Sequence, residues 1–271
     1  MSQEPSLNLR LFGTDEEPAA TRTISVGQLS VVLQSGALRQ ISIGGIEVIR
    51  GIAFVVRDKN WVTYRQEITD LEIIEGDAGI RISYSAVCRD GEQVLSYDVA
   101  IEGSPDGSLE CTATGVADSD FLTSRTGFVV LHPIEGVAGQ PVTIMHTDGS
   151  TEESLFPALI SPGQPFSDIR ELRLDVVPGL SVTCTMEGDA YEMEDQRNWS
   201  DASYKTYIRP LAKPHPYMLE KGEKFIQRVG LRVEGSTQQA TGKHAAANCT
   251  VSIEEQNVGR VPEFALAVQP G

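Results

Sequence analysis

LEIIEGDAGIRISYSAVCRDGEQVLSYDVAIEGSPDGSLECTATG, residues 71–115, carries the clearest structural signal in this chain. Four short runs rich in Ile, Val, Leu and Tyr are separated by sequences containing Gly, Asp and Pro, which are typical of turns. No apolar stripe with the 3.6-residue period of a helix persists through the segment. The pattern predicts an antiparallel meander with strands over 71–75, 80–88, 94–101 and 109–115.

The same alternation of short apolar runs and turns continues on both sides of the meander. The doublet Gly44-Gly45 predicts a tight hairpin. Residues 151–168 hold three prolines and predict a long irregular loop. Many strands with few helical signals predict an all-β protein, a large antiparallel supersandwich of two sheets whose concave face can hold a ligand. The other predicted strands cover 24–33, 38–43, 46–49, 51–57, 61–64, 128–133, 142–146, 172–176, 181–187, 223–233 and 249–253.

Composition changes at both ends of this strand-rich region. Residues 1–22 are rich in Gly, Pro, Glu and Asp and predict an N-terminal extension, in which alternating leucines between positions 7 and 11 add an edge strand. The region 23–234 is predicted to form the sandwich domain. Residues 235–247 are rich in Gly, Ser, Thr, Gln and Ala, which is typical of a linker.

The charge of the chain excludes two classes of partner. The formal net charge is −16 and the isoelectric point is near 4.6, so the surface repels nucleic acid phosphates and anionic membranes. No apolar run reaches transmembrane length, and the N-terminus lacks the features of a signal peptide. The four cysteines form no CxxC pair and are interpreted as reduced, buried thiols of a cytoplasmic protein.

The densest set of reactive side chains is EMEDQRNWSDASYKTY, residues 192–207, with four carboxylates, one Arg, one Lys, one Trp and two Tyr. Arg, Asn and Gln can pair with vicinal hydroxyls, and Trp and Tyr offer flat apolar faces. The stretch therefore predicts a pocket for a small polyol or sugar. The alternative is a structural corner, in which Asp195, Arg197 and Asp201 pair and Trp199 fills the core. The substrate-binding candidates are Gln196, Asn198, Trp199, Asp201, Lys205 and Arg125.

Several blocks of sequence resemble bacterial D-apionate lactonase. They are GALRQI (36–41), VIRGI (48–52), VRDKNW (56–61), RTGFVVLHP (125–133) and the stretch 192–207. The resemblance covers roughly residues 20–234. It implies a galactose-mutarotase-like supersandwich and hydrolysis of D-apionolactone to D-apionate in branched-pentose breakdown.

Members of that family are about twice as long as this chain, and a TIM-barrel-like domain follows their sandwich. Residues 261–268, VPEFALAV, look like the first strand of such a barrel. The resemblance therefore implies that 235–271 is a linker and the start of a further domain, against which the sandwich packs. Whether the present chain is an enzyme by itself stays open at this point.

Lactone hydrolysis requires an activated water and stabilisation of an oxyanion. The candidate bases are His132, Glu194 and Asp195, and Arg197 or Lys205 is the candidate for stabilising the oxyanion. His132 has a second interpretation as a hydrogen-bonded core histidine at the end of a strand. His215 lies between two prolines, as a fixed loop residue that could reach the same pocket.

Absent motifs narrow the chemistry. The sequence has no GxSxG, HExxH, CxxC, GxGxxG or Walker motif, so it predicts no cofactor and no zinc site of a familiar type. A metal site assembled from Asp, Glu and His across strands stays open. Three alternatives to lactone hydrolysis remain: an aldose mutarotase or epimerase, a carbohydrate-binding module, and a non-catalytic sandwich that supports a barrel.

Overall fold

A computed structural model of the chain describes residues 6–199 and 201–235. Within these ranges the chain forms 18 strands, one short helix and one 3₁₀ turn. The elements are α1 Leu7–Phe12, β1 Thr21–Val26, β2 Leu29–Gln34, β3 Ala37–Ile43, β4 Ile46–Arg57, β5 Glu67–Gly76, β6 Gly79–Asp90, β7 Gln93–Gly103, β8 Leu109–Ala117, β9 Phe121–Thr123, β10 Arg125–Pro133, β11 Pro141–His146, β12 Thr151–Leu155, β13 Ile169–Val177, β14 Leu180–Glu187, β15 Tyr191–Asp195, the 3₁₀ turn Gln196–Trp199, β16 Ser203–Ile208, β17 Tyr217–Leu219 and β18 Lys224–Gly235.

The strands form two antiparallel layers. One has the order β1-β2-β3-β4-β10-β16-β15, and the other has the order β12-β11-β13-β14-β18-β8-β7-β6-β5. The single pair of Ile169 and Tyr191 connects the two layers, so that all these strands belong to one continuous sheet. Strands β9 and β17 form a separate small pair. This arrangement confirms the predicted all-β sandwich, and β5 to β8 confirm the meander.

The core lies between the two layers. The Phe54 ring of β4 lies 4.5 Å from that of Tyr97 on β7 and 5.8 Å from that of Phe225 on β18. Along β7 the side chains of alternate residues are buried, because successive side chains of a strand point to opposite faces. Each fully buried aliphatic or aromatic side chain stabilises the sandwich by about 1.5–3 kcal/mol.

Three predicted boundaries are wrong. The run 24–33 is a hairpin, because Gly27 adopts a φ of 55° and turns β1 into β2. The runs 46–49 and 51–57 are one continuous strand, β4, in which the side chain of Arg50 is half-buried and pairs with Glu47. The predicted loop 151–168 begins with the strand β12.

The N-terminal leucines form a helix instead of an edge strand. Ser6 accepts a hydrogen bond from the backbone N–H of Leu9, and Gly13 ends the helix with a φ of 74°. These are a helical N-cap and C-cap, which outweigh the short alternation of apolar residues. Residues 61–64 form no strand and contribute one isolated bridge, between Arg57 and Thr63.

Other predictions concern the ends of the chain and the thiols. The predicted linker, the strand 249–253 and the segment 261–268 lie outside the described residues. Cys88, Cys111 and Cys184 are free and buried, as predicted. None of the described helices has the length and apolar character needed to cross a membrane.

Candidate functional site

Strands β10, β16 and β15 lie side by side next to β4 and hold half of the predicted site residues. His132 pairs with Tyr204 across the ladder, whereas Leu131 pairs with Lys205. Because partners across a ladder point to the same face, one set of side chains enters the core and the other faces away from it. We call the second surface the outer face. The predicted site residues are therefore divided between two faces.

Asp195 and Arg197 form the structural corner that the sequence offered as an alternative. The Nε of Arg197 donates to Oδ1 of Asp195 at 2.9 Å, and its Nη2 donates to Oδ2 at 2.8 Å. The same guanidinium also donates to the backbone carbonyls of residues 157, 158 and 159. Burial alone would raise the pKa of Asp195, but hydrogen bonds from Arg197 and from two backbone amides lower it. The geometry favours a structural role for both residues.

The neighbours of this corner have different surroundings. The Nδ2 of Asn198 donates to the carbonyl of Ser161 at 2.5 Å and so extends the corner. The Asp201 carboxylate accepts from Ser203 at 3.2 Å and forms no bond to the arginine. Trp199 is 73% exposed, so it does not fill the core as the corner hypothesis expects.

His132 points into the core and is 1% exposed. Its Nε2 lies 3.0 Å from the Oγ1 of Thr206. Burial lowers the pKa of His132 to about 4, so the ring is neutral at pH 7. It lies on the opposite side of the sheet from Lys205 and the rest of the candidate site. The geometry therefore favours the core-histidine interpretation over a general base.

Three predicted residues meet on the outer face. The Nζ of Lys205 lies 3.1 Å from Oε2 of Glu194, and the Nε2 of Gln196 donates to its Oε1 at 2.7 Å. Burial lowers the pKa of Lys205, and the ion pair with Glu194 acts in the opposite direction. A half-buried carboxylate and ammonium are thus held together beside the surface.

Arg125 lies next to this pair and is only 2% exposed. The centre of its guanidinium lies 4.0 Å from the Tyr207 ring centre and 5.3 Å from that of Trp61. Such stacking on aromatic rings is favourable for a guanidinium. Burial lowers the pKa of Arg125 to about 10, so the group stays charged at pH 7.

Two further residues belong to this surface: Arg57, which was not predicted, and His215, which was predicted only as a loop residue within reach of the pocket. Arg57 is the direct ladder partner of Arg125, so both side chains lie on the outer face. The His215 ring lies 5.2 Å from that of Trp61. Burial and the nearby arginines Arg209 and Arg125 lower the pKa of His215, so it is neutral at pH 7. We call Arg57, Arg125, Glu194, Lys205, Tyr207 and His215 the outer-face cluster.

The signal for these two residues was present in the sequence. Arg57 is the last residue of β4, where buried and half-buried side chains alternate, and it belongs to the half-buried set. The histidine stands between two prolines, which restrict the backbone around it. Neither signal alone indicates which strands become neighbours.

Glu192, the remaining carboxylate of this surface, already accepts hydrogen bonds from other groups of the protein. Its Oε2 accepts from the Tyr207 hydroxyl at 3.0 Å and from the backbone N–H of Leu211 at 2.8 Å. A cleft of about 290 Å³ lies beside the cluster, with Arg209 and Tyr217 in its wall. In the part of the chain that the structure describes, no three His, Cys, Asp or Glu side chains are grouped to hold a metal ion.

With the fold and this geometry known, comparison with characterised sequences is decisive. The family described as D-apionate lactonase, N-terminal domain, matches residues 9–236. The chain belongs to this family. A D-apionate lactonase from Brucella anthropi is 41% identical over 263 residues, which are 96% of this chain and 43% of that relative. This D-apionate lactonase N-terminal domain thus spans less than half the length of the curated relative that it matches.

Solved structures agree with the fold of the D-apionate lactonase N-terminal domain. Galactose 1-epimerase from Lactobacillus acidophilus aligns with a TM-score of 0.54 at 9% identity, over 82% of this chain and 96% of that one. A galactose mutarotase-like protein from Clostridium acetobutylicum aligns with a TM-score of 0.51 at 9% identity, over 79% and 94%. At these identities the similarity confirms the galactose-mutarotase-like fold and carries nothing about activity.

Proposed function

We propose that this chain is the N-terminal, sugar-binding domain of an enzyme that hydrolyses D-apionolactone to D-apionate. Family membership supports the reaction class. The observation that supports the site is the meeting of Arg125, Glu194 and Lys205 on one face, beside the rings of Trp61 and Tyr207. Charged hydrogen-bonding groups next to aromatic rings suit a small polyhydroxylated ligand.

The cluster contains the groups that lactone hydrolysis needs. Attack of water on the lactone carbonyl requires a base and produces an oxyanion. In this proposal Glu194 or the neutral His215 accepts the proton of the attacking water. Arg125 and Lys205 stabilise the oxyanion, and Gln196 holds Glu194 in position. The buried His132 and the Asp195–Arg197 corner support the fold.

The experiment is a pH-stat assay of D-apionolactone hydrolysis. It compares the 271-residue chain with a longer protein that includes the region its relative has beyond this chain. We expect turnover by the longer protein, with kcat/KM at least about 100-fold lower in Lys205→Met, since loss of one oxyanion donor typically has this effect. Unchanged turnover in that variant would refute the site. The matched control is Lys224→Met, an exposed lysine on β18.

A second function is favoured by a separate observation. Leu159, Ile160 and Trp199 are 86%, 53% and 73% exposed, and the corner holds the loop 157–161 beside the 3₁₀ turn. Exposed apolar groups of this kind are typical of interfaces. We propose that this surface packs against the following domain, predicted as a TIM-barrel-like domain entered through 235–271. Three buried free thiols support the further proposal that the protein is cytoplasmic.

A further inference from the structure

Buried polar atoms without a hydrogen-bond partner are concentrated at the outer-face cluster. Among the described residues, five buried side-chain nitrogen or oxygen atoms have no hydrogen-bond partner. Four of them lie in or next to the cluster, namely Nε of Arg57, Arg125 and Arg209 and Nε2 of His215. Since nearly all buried polar groups in folded proteins are paired, such a concentration indicates a place where a ligand supplies the missing hydrogen-bond partners.

The charge at this place has the opposite sign to that of the whole chain. This face holds Arg57, Arg125 and Lys205 against two carboxylates, in a chain with a formal charge of −16. Glu192 accepts hydrogen bonds from Tyr207 and from the backbone of Leu211, and the other carboxylate is that of Glu194. That carboxylate is engaged by Lys205 and Gln196. In the described part of the protein, neither arginine side chain forms a hydrogen bond or an ion pair. Arg57 and Arg125 lie side by side, and Glu194 compensates the buried charge of Arg125 only in part, because it is also paired with Lys205. Adjacent cations repel each other, and a bound anion removes this cost.

The orientation of the two arginines suits a carboxylate. They are ladder partners on neighbouring strands, so their guanidinium groups extend from adjacent positions of one face. Arg125 stacks on Tyr207, and the Nε on the edge of its guanidinium plane has no hydrogen-bond partner among the described residues. Paired donors on such an edge match the two oxygens of a carboxylate.

We propose that Arg57 and Arg125 bind the carboxylate of an open-chain aldonate, so that the outer-face cluster binds the acid more tightly than a neutral sugar. The inference rests on the proposed function, because it assumes that this face is the sugar site. It adds that the site retains the reaction product through its new charge. One water molecule adds to the carbonyl of the neutral lactone, the ring C–O bond breaks, and the products are a carboxylate, a hydroxyl group and a released proton.

The test is isothermal titration calorimetry of the 271-residue chain at pH 7 and low salt. The ligands are D-apionate, D-apionolactone, the neutral polyol in which CH2OH replaces the carboxylate, and sodium phosphate. We expect D-apionate to bind at least about tenfold more tightly than the polyol. Arg125→Met should abolish that preference while changing the affinity for the polyol by less than about threefold. Arg57→Met is the second variant and should give the same loss.

Two controls separate recognition from structural support. Arg81→Met makes the same charge change at an exposed residue paired with Glu102 and should leave every affinity unchanged. Without ligand, Arg125→Met should lower the melting temperature only slightly, because it loses the stacking on Tyr207 and Trp61 but no hydrogen bond or ion pair. A large fall in melting temperature in both arginine variants, with the acid preference retained, would overturn the inference.

The outcomes also separate the two proposals. Equal affinities for D-apionate, the lactone and the polyol would overturn the inference and leave the proposed function standing. Tighter binding of phosphate than of D-apionate would mean an adventitious anion site and would also overturn it. Binding of none of the sugar ligands would overturn both.

Discussion

Arg197 and Asp195 form a bidentate ion pair two residues apart, with N–O distances of 2.9 and 2.8 Å. The carboxylate is completely buried and also accepts from the backbone N–H of Ser161 at 2.9 Å. The pair thus ties the end of β15 to the loop 157–161. Its donors and acceptors are satisfied within the protein, which separates it from the arginines of the outer face.

We therefore expect Arg197→Ala to act on stability and not on ligand binding. The substitution leaves a buried carboxylate without its charged partner, and hydrogen bonds to charged groups are worth about 1.5–3 kcal/mol. The free energy of unfolding in urea should fall by about that amount. The affinity of the folded protein for D-apionate should change by less than about twofold. Arg173→Ala, which removes an exposed pair with Glu234, is the control and should cost less than about 1 kcal/mol. Loss of binding with unchanged stability would restore Arg197 to the site.

His132 should make the stability of the fold depend on pH. Its pKa falls from 6.5 to about 4 on folding because of burial, so between these values the unfolded chain binds a proton that the folded chain does not. Stability should therefore fall as the pH falls from 6.5 to 4, by about 3 kcal/mol in total from this residue. The measurement is urea unfolding at several pH values.

His132→Gln should flatten that dependence above pH 4.5, where most carboxylates are still ionised. An identical slope in His132→Gln would show that the folded ring is protonated in this range. The pKa shift would then be absent.

The sequence predicted the fold better than the site, and the reason is physical. Turn chemistry and alternation are local, so the meander 71–115 and the hairpin at Gly44-Gly45 could be located from neighbouring residues alone. The outer face is non-local. It depends on β4 lying beside β10 and β10 beside β16, which brings Arg57 next to Arg125 and close to Lys205.

Strand parity explains the division of the predicted site residues. Lys205 and Thr206 are adjacent in sequence but face opposite sides of the sheet, because side chains alternate along a strand. The reactive side chains of residues 192–207 therefore belong to two different structures, the buried corner and part of the outer-face cluster. Alternation could have separated them only if the extent of β15 and β16 had been known.

Glu194 and Lys205 should affect binding of the acid in opposite directions. Glu194→Gln removes a negative charge beside the proposed carboxylate site, and repulsion across several ångströms near a protein surface is of the order of 1 kcal/mol. The affinity for D-apionate should therefore rise by about threefold to tenfold, whereas Lys205→Met should lower it by a similar factor. Calorimetry of both variants gives the comparison, and Glu110→Gln, an exposed change on β8, controls for net charge.

Measuring turnover shows whether Glu194 is the general base as well as the negative charge beside the proposed carboxylate site. If it is the general base of the longer enzyme, Glu194→Gln should lower kcat while tightening binding of the product. Unchanged kcat with tighter binding would assign the proton transfer to His215 instead. Weaker binding of the acid in Glu194→Gln would contradict the proposed position of the carboxylate.

The exposed side chains of Leu159, Ile160 and Trp199 predict that the chain associates when its partner surface is absent. Apolar side chains exposed to this extent lower the free energy when they are covered, by about 25 cal/mol per Å². We expect sedimentation velocity to show concentration-dependent association of the 271-residue chain. The double variant Leu159→Ser and Trp199→Ser should reduce it without changing the melting temperature, because both side chains already lie in solvent. Leu71→Ser and Ile74→Ser, on the exposed side of β5, form the matched control. A monomer at all concentrations, or equal effects of the two double variants, would remove the case for a docking surface at the corner.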